Sequence, residues 1–185
     1  YPTGKLALDA FLRGEVDYAN CAEYVAVKNS FKRDDYKIIA SVAEANINGM
    51  LAKRSKNINS EKDIKGKKVG ASLGTAAEHY VGVFLSQNGL AFESVDLIDI
   101  NPLKIEESLI DDKVDVVFSW EPIIYNMIHK YPDQLVFFPM PVGFPFYFSL
   151  VSNNSNSNET SIKVLDSLLK SQKWINNNKI EFKEF

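Results

Sequence analysis

Apolar positions along the chain change period repeatedly, between short β-type runs and stretches in which they recur every three or four residues. Leu6, Leu8, Phe11 and Leu12 suit one face of a helix that Gly14 closes as a C-terminal cap. Residues 16–19, 36–42 and 49–54 read as extended segments, and Asn59 or Ser60 caps a short helical turn through Asp63. From Lys68 the alternation becomes regular, with strands predicted over 68–71, 95–100, 114–119 and 134–138. Between them the pattern predicts helices over 74–88, 102–111 and 122–130. Gly89 ends the first helix, and Pro122 opens the last in its first turn, where a missing N–H costs nothing. After a proline-rich bend at Pro139, Pro141 and Pro145, residues 146–152 are extended and 153–158 form a polar loop. A final helix over 160–177 carries Ile162, Leu165, Leu168, Leu169 and Ile175 on one side. Strands alternating with helices predict an α/β fold of mostly parallel sheets with flanking helices.

Two stretches overlay at a constant spacing of 98 residues, the distance from Asp17 to Asp115. Residues 9–19 and 107–117 each run from a helix through a polar turn into Val-Asp and an apolar strand. The match reaches Glu23 and Glu121, each six residues beyond its Asp. Either this is a common α/β pattern met twice, or the chain contains two similar lobes. On the second reading, lobe 1 is residues 1–54 with 147–185 and lobe 2 is 55–146, with hinges near 53–57 and 145–150. Ligands of open α/β sheets dock beyond the carboxyl ends of the strands, so two such lobes would hold one in the cleft between them.

Composition narrows the function. With 45% hydrophobic and 24% charged residues, the 185-residue chain has the make-up of a water-soluble globular protein. A net charge of −3 without clustered Lys and Arg gives no case for a nucleic-acid partner. Lys65, Lys67 and Lys68 beside Asp63 and Gly66 read as a solvated turn. No stretch approaches the ~18 apolar residues of a membrane span. The opening Tyr1-Pro2-Thr3-Gly4 reads as a strand end entering a helix, so the sequence is expected to belong to a longer chain. Cys21 is the only cysteine, which excludes an internal disulfide, and without a neighbouring His it reads as a small buried residue. His79 and His129 lack metal-ligand spacing, and no cofactor is called for.

The best site candidate is Gly74-Thr75-Ala76 at a helix start. Unpaired N–H groups there suit an acceptor-rich ligand, with Gly74 allowing close approach and Thr75 adding a hydroxyl; the alternative is an ordinary cap. Thr3-Gly4 repeats that logic more weakly. Trp120 offers a flat face for stacking, or packs in the core, and Ser119 adds a small polar contact. Glu23 and Glu121 either accept hydrogen bonds from a ligand or cap helices. Asn20, Cys21 and Asn48 complete the candidate lining. Two carboxylates, one indole and no cation favour an organic ligand with a donor group over a bare inorganic anion.

These residues also resemble a known family, the nitrate, sulfonate and taurine binding proteins of ABC importers with the related thiamine-precursor binding proteins. Pro2-Thr3-Gly4 with Ala7-Leu8 and Gly14-Glu15-Val16-Asp17 is similar to the family's first-lobe block. Asp63-Ile64-Lys65-Gly66-Lys67-Lys68-Val69-Gly70 resembles its entry into the second lobe, and Gly74-Thr75-Ala76-Ala77 with Tyr80 its Gly-Ser/Thr motif. Val114-Asp115 followed by Trp120-Glu121-Pro122 is the most specific element. The resemblance implies a two-lobed type II periplasmic binding fold whose first strand and helix precede Tyr1. It further implies a small-molecule ligand, hinge closure, a monomer outside the cell membrane, and a partner that is either an ABC permease or the protein's own membrane-anchored signalling module. Sensor domains of histidine kinases and diguanylate cyclases share the fold, and residues 29–36 are somewhat similar to theirs. Enzymes of the same ancestry, the thiamine-pyrimidine synthases, carry a pyridoxal-binding lysine, a reactive histidine and a cysteine-rich motif. With one cysteine and no Ser-His-Asp or Cys-His set, the chain is expected to bind rather than catalyse.

Overall fold

The structure, a computed structural model, describes residues 1–140 and 143–178. Pro141 of the expected bend and the tail 179–185 lie outside the described residues. The chain divides into two compact units, Tyr1–Glu44 with Tyr147–Phe185, and Ala45–Phe146.

Unit 1 opens with α1 (Gly4–Leu12), whose N-cap Thr3 accepts a hydrogen bond from the Leu6 N–H and which buries Leu8, Ala10 and Phe11. Gly14, at φ 76°, supplies the left-handed residue that turns the chain out of the helix. β1 (Tyr18–Ala22) follows, then α2 (Glu23–Ser30) and β2 (Tyr36–Ala45). The apolar pattern did not announce α2, because Ala22 provides no capping side chain and only Val25 and Ala26 are buried. The three strands of the unit lie in the order β1-β8-β2, β8 being Phe146–Asn153. β1 and β8 are antiparallel, from Tyr18 against Ser152 to Ala22 against Phe148. The Phe11 and Tyr36 rings meet edge to face at 6.0 Å over this sheet's core. The last helix, α6 (Asn158–Asn177), starts on Ser157, buries no residue, and leaves Ile162, Leu169 and Trp174 exposed.

Unit 2 carries β3 (Asn48–Lys53), β4 (Lys68–Ala71), α3 (Ala76–Gln87), β5 (Asp96–Asp99), α4 (Ile105–Ile110), β6 (Val116–Trp120), α5 (Ile123–Lys130) and β7 (Leu135–Pro139). Its sheet runs β5-β4-β6-β3-β7. β4 is parallel to β5 and β6, while β3 is antiparallel to both β6 and β7. Four strands therefore point one way and β3 runs against them. Because β3 pairs on both sides within this sheet, it belongs to unit 2. The first crossing consequently falls at 44/45 rather than at the expected 54/55. One face of the sheet buries Leu51 and Val117 with Ile105, Leu109, Ile124, Met127 and Leu135. The other packs α3 through Phe84, whose ring meets Phe118 edge to face at 5.2 Å.

The 98-residue spacing has a physical counterpart. Helix α1 ends at Leu12 and α4 at Ile110; Gly14 and Asp112 are both left-handed, at φ 76° and 59°. Strand β1 begins at Tyr18 and β6 at Val116, again 98 apart. Thr3 caps α1, accepting from the Leu6 N–H, and 98 residues on Asn101 caps the 3-10 turn Pro102–Lys104 that leads into α4, accepting from the Leu103 N–H.

Carboxylates fasten the turns of unit 2. Asp112 and Asp115 form ion pairs with Lys53 and Lys56 at 2.9–3.1 Å, and Asp115 also accepts the Lys68 N–H at 3.0 Å. Burial pushes the Asp115 pKa up, but the Lys68 N–H and the Lys56 ammonium outweigh it and hold it below its usual value. Bonds from Lys53 and Lys56 lower that of Asp112, and Lys104 and Lys113 bring Glu107 to about 2. Groups depressed in the folded state add stability above the unfolded carboxylate range of about 4. That stability disappears as pH falls through their folded values. The thermal midpoint, followed by circular dichroism, is therefore expected to hold near pH 5 and to decline progressively below about pH 4; an unchanged midpoint down to about pH 2.5 would contradict these roles.

Candidate functional site

The face of unit 2 that carries α3 assembles most of that unit's sequence candidates. Gly74 adopts φ 78°, a left-handed conformation that explains glycine at this position, and turns the chain from β4 toward α3. Helix α3 begins at Ala76 rather than at Gly74, with Thr75 as its N-cap. The Thr75 hydroxyl donates to the Ser72 carbonyl at 2.6 Å and accepts from the Ala77 N–H at 3.2 Å. The expected ligand-donating hydroxyl is thus spent inside the cap. Glu78 reaches back to accept the Gly74 N–H at 2.6 Å, and Asp99 accepts the Leu73 N–H at 2.9 Å. The sequence candidates omitted Glu78, although Thr75-Ala76-Ala77-Glu78 carries the capping-box spacing that signals such a reach.

Strand register decides what else shares this face. Asn48 lies opposite Trp120 and Met50 opposite Phe118. Directly opposed residues point the same way, and alternate residues share a face. Phe118 meets Phe84 of α3, so Asn48 and Trp120 belong to the α3 face, at the carboxyl end of β6. Ser119 does not. It alternates with Trp120 and falls on the face of Val117 and Leu51, where the Phe137 ring fills the space beside Gly49 that a side chain would take. Trp120 is half-buried, whereas Asn48 is only 5% exposed. Neither the amide nitrogen nor the amide oxygen of Asn48 has a hydrogen-bond partner, and the Ser119 hydroxyl also lacks one. Such groups are costly to leave unmet, by about 1–3 kcal/mol each.

Both candidate glutamates hold backbone. Glu121 accepts the Tyr125 N–H at 2.8 Å, capping α5, and the Glu121-Pro122 peptide is cis. Pro122 is accordingly the N-cap residue, with α5 starting at Ile123. In unit 1, Glu23 accepts the Tyr147 N–H at 2.6 Å, tying the start of α2 to β8. Asn20 is exposed on β1. Gly4 has a packing reason, since a Cβ there would come within 2.9 Å of the Cys21 Cα. Cys21 itself is fully buried, so it fills that α1–β1 contact rather than lining an accessible surface. Burial pushes its thiol up to about 12. An aromatic disulfide reagent at pH 8 is expected to leave the native thiol unmodified and to titrate one equivalent after denaturation; rapid native labelling would contradict this burial.

Among the described residues, no helix is long and apolar enough to cross a membrane. Against known proteins, a Haemophilus influenzae protein named "Putative thiamine biosynthesis protein" is 27% identical over 115 residues, covering 61% of this chain and 36% of its own length. The periplasmic aliphatic sulphonate binding protein SsuA from Escherichia coli superposes with a TM-score of 0.79 at 16% identity, over 98% of this chain and 63% of its own. The amino acid ABC transporter substrate-binding protein AbpA from Streptococcus pneumoniae, bound to L-arginine, superposes at 0.66 and 16% identity, over 94% and 69%. The chain therefore spans little more than a third of that curated relative and under two thirds of SsuA. These likenesses give the fold, the α/β architecture of periplasmic substrate-binding proteins. The NMT1/THI5 like family model matches residues 2–176, and the chain belongs to that family.

Proposed function

We propose that the protein binds a small organic solute at the α3 face of unit 2, outside the cell membrane, as the monomeric receptor of an ABC importer. The observation that carries this reading is the Asn48 amide, buried and without a partner, across from a half-buried Trp120 beside the start of α3. A protein that keeps such a group at a strand end bears the desolvation cost when empty and recovers it when a ligand pairs with it. Family membership supports the reading, as do neighbours whose names specify sulphonate binding and a bound arginine.

Thermal-shift screening against a library of small organic acids, amines, amides and heterocycles tests the function. A true ligand at about a hundred times its Kd adds about 2.7 kcal/mol to the folded state, a shift of several degrees. A library in which no compound raises the midpoint would sink the solute-binding reading.

A further inference from the structure

We infer that the solute presents to unit 2 a neutral, planar group with a hydrogen-bond donor and acceptor side by side, as a carboxamide or cyclic amide does. This rests on the solute-binding reading above and narrows it. It also departs from what the sulphonate-binding neighbour would suggest.

The start of α3 is the natural place for an anion, yet the chain has already put its own carboxylates there. Glu78 takes the Gly74 N–H and Asp99 the Leu73 N–H, while the Thr75 hydroxyl is committed to Ser72. An incoming sulfonate or nitrate would meet like charge at the positive end of the helix, which reverses the usual preference. The unit 2 candidates Asn48, Gly74, Thr75, Ala76, Trp120 and Glu121 include no Lys or Arg to offset it.

What the face offers instead is Asn48. Its amide presents two N–H donors on nitrogen and an acceptor oxygen, and both heavy atoms are buried and unmet. A bare oxyanion, which only accepts, satisfies the nitrogen and leaves the oxygen orphaned. A carboxamide edge satisfies both, through two parallel hydrogen bonds. Trp120, directly across the β3–β6 pair, supplies a flat apolar face for the same planar group.

The test is a thermal shift of the protein with nicotinamide and uracil as donor–acceptor probes and methanesulfonate and nitrate as acceptor-only probes, followed by calorimetry. The expected result is stabilisation by nicotinamide or uracil and none by the two anions. In Asn48→Leu, affinity for the active probe should fall about tenfold to a hundredfold, the worth of a buried polar pairing. The ligand-free midpoint of that variant should hold or rise, because an orphaned amide has been replaced by apolar volume. Asn48→Asp, which keeps the shape and removes the donor, should lose the probe as well, and it supplies the same reading if the leucine variant does not fold. Stabilisation by methanesulfonate or nitrate alone would overturn the inference while leaving solute binding intact. No shift with any of the four would overturn the inference, and the solute-binding reading falls with it only if no compound of the wider library raises the midpoint either. Unchanged probe affinity in both variants would also overturn it, with the site placed elsewhere.

Discussion

Phe84→Ala is expected to lower the unfolding free energy of unit 2 by about 3–5 kcal/mol, a large part of the stability of an ordinary domain. Phe84 has no solvent exposure, sits in the last turns of α3, and meets Phe118 of β6 edge to face. Removing the ring costs its transfer free energy, the edge-to-face contact and a cavity that the sheet cannot close, because Phe118 is held between β4 and β3. Phe92→Ala makes the comparison, since that ring is 46% exposed and should cost far less. Denaturant titration followed by circular dichroism reads both. A loss below about 1 kcal/mol for Phe84→Ala would mean that α3 is not anchored as described.

The β-α alternation was legible because each element announces itself locally. Gly14 and Gly89 mark helix ends, and the short apolar runs within 68–71 and 114–119 have no competing period. The 98-residue spacing was legible for the same reason and recurs in caps, left-handed turns and strand starts. The unit to which β3 belongs was not, because pairing is non-local. Nothing in Asn48–Lys53 reveals that β6 and β7 flank it, and the first crossing was placed ten residues late as a result. Helix α2 was hidden by its bare cap at Ala22. At the site, residue types were readable but their commitments were not. For Thr75, Glu23 and Glu121 the sequence leaves ligand contact and capping both open, and all three turn out to hold backbone groups. Ser119 and Trp120 are adjacent in sequence and lie on opposite faces, a separation that only the strand register fixes. Asn48 gains weight for the opposite reason, because its lack of a partner is a fact of three-dimensional packing.

Trp120→Ala is expected to weaken solute binding by about thirtyfold or more, the ~2 kcal/mol typical of a buried tryptophan anchor. The indole stands across from Asn48, at the end of β6, and retains some exposure where core rings such as Phe118 and Phe84 have essentially none. That difference separates its two roles. A packing tryptophan would lose about 3–5 kcal/mol of unfolding free energy on truncation, with affinity changing only as the fold loosens. A ligand platform should lose affinity first and stability by about 1 kcal/mol. Calorimetry with whichever probe stabilises the protein, set beside denaturant titration of the same variant, distinguishes them. The chain contains two tryptophans, and the other, Trp174, is exposed on α6. Trp174→Phe therefore leaves Trp120 as the sole indole emitter, and its fluorescence should change as the probe saturates the protein. Emission that stays constant through saturation, with full affinity retained in Trp120→Ala, would remove Trp120 from the site and leave it as a packing residue of the sheet's end.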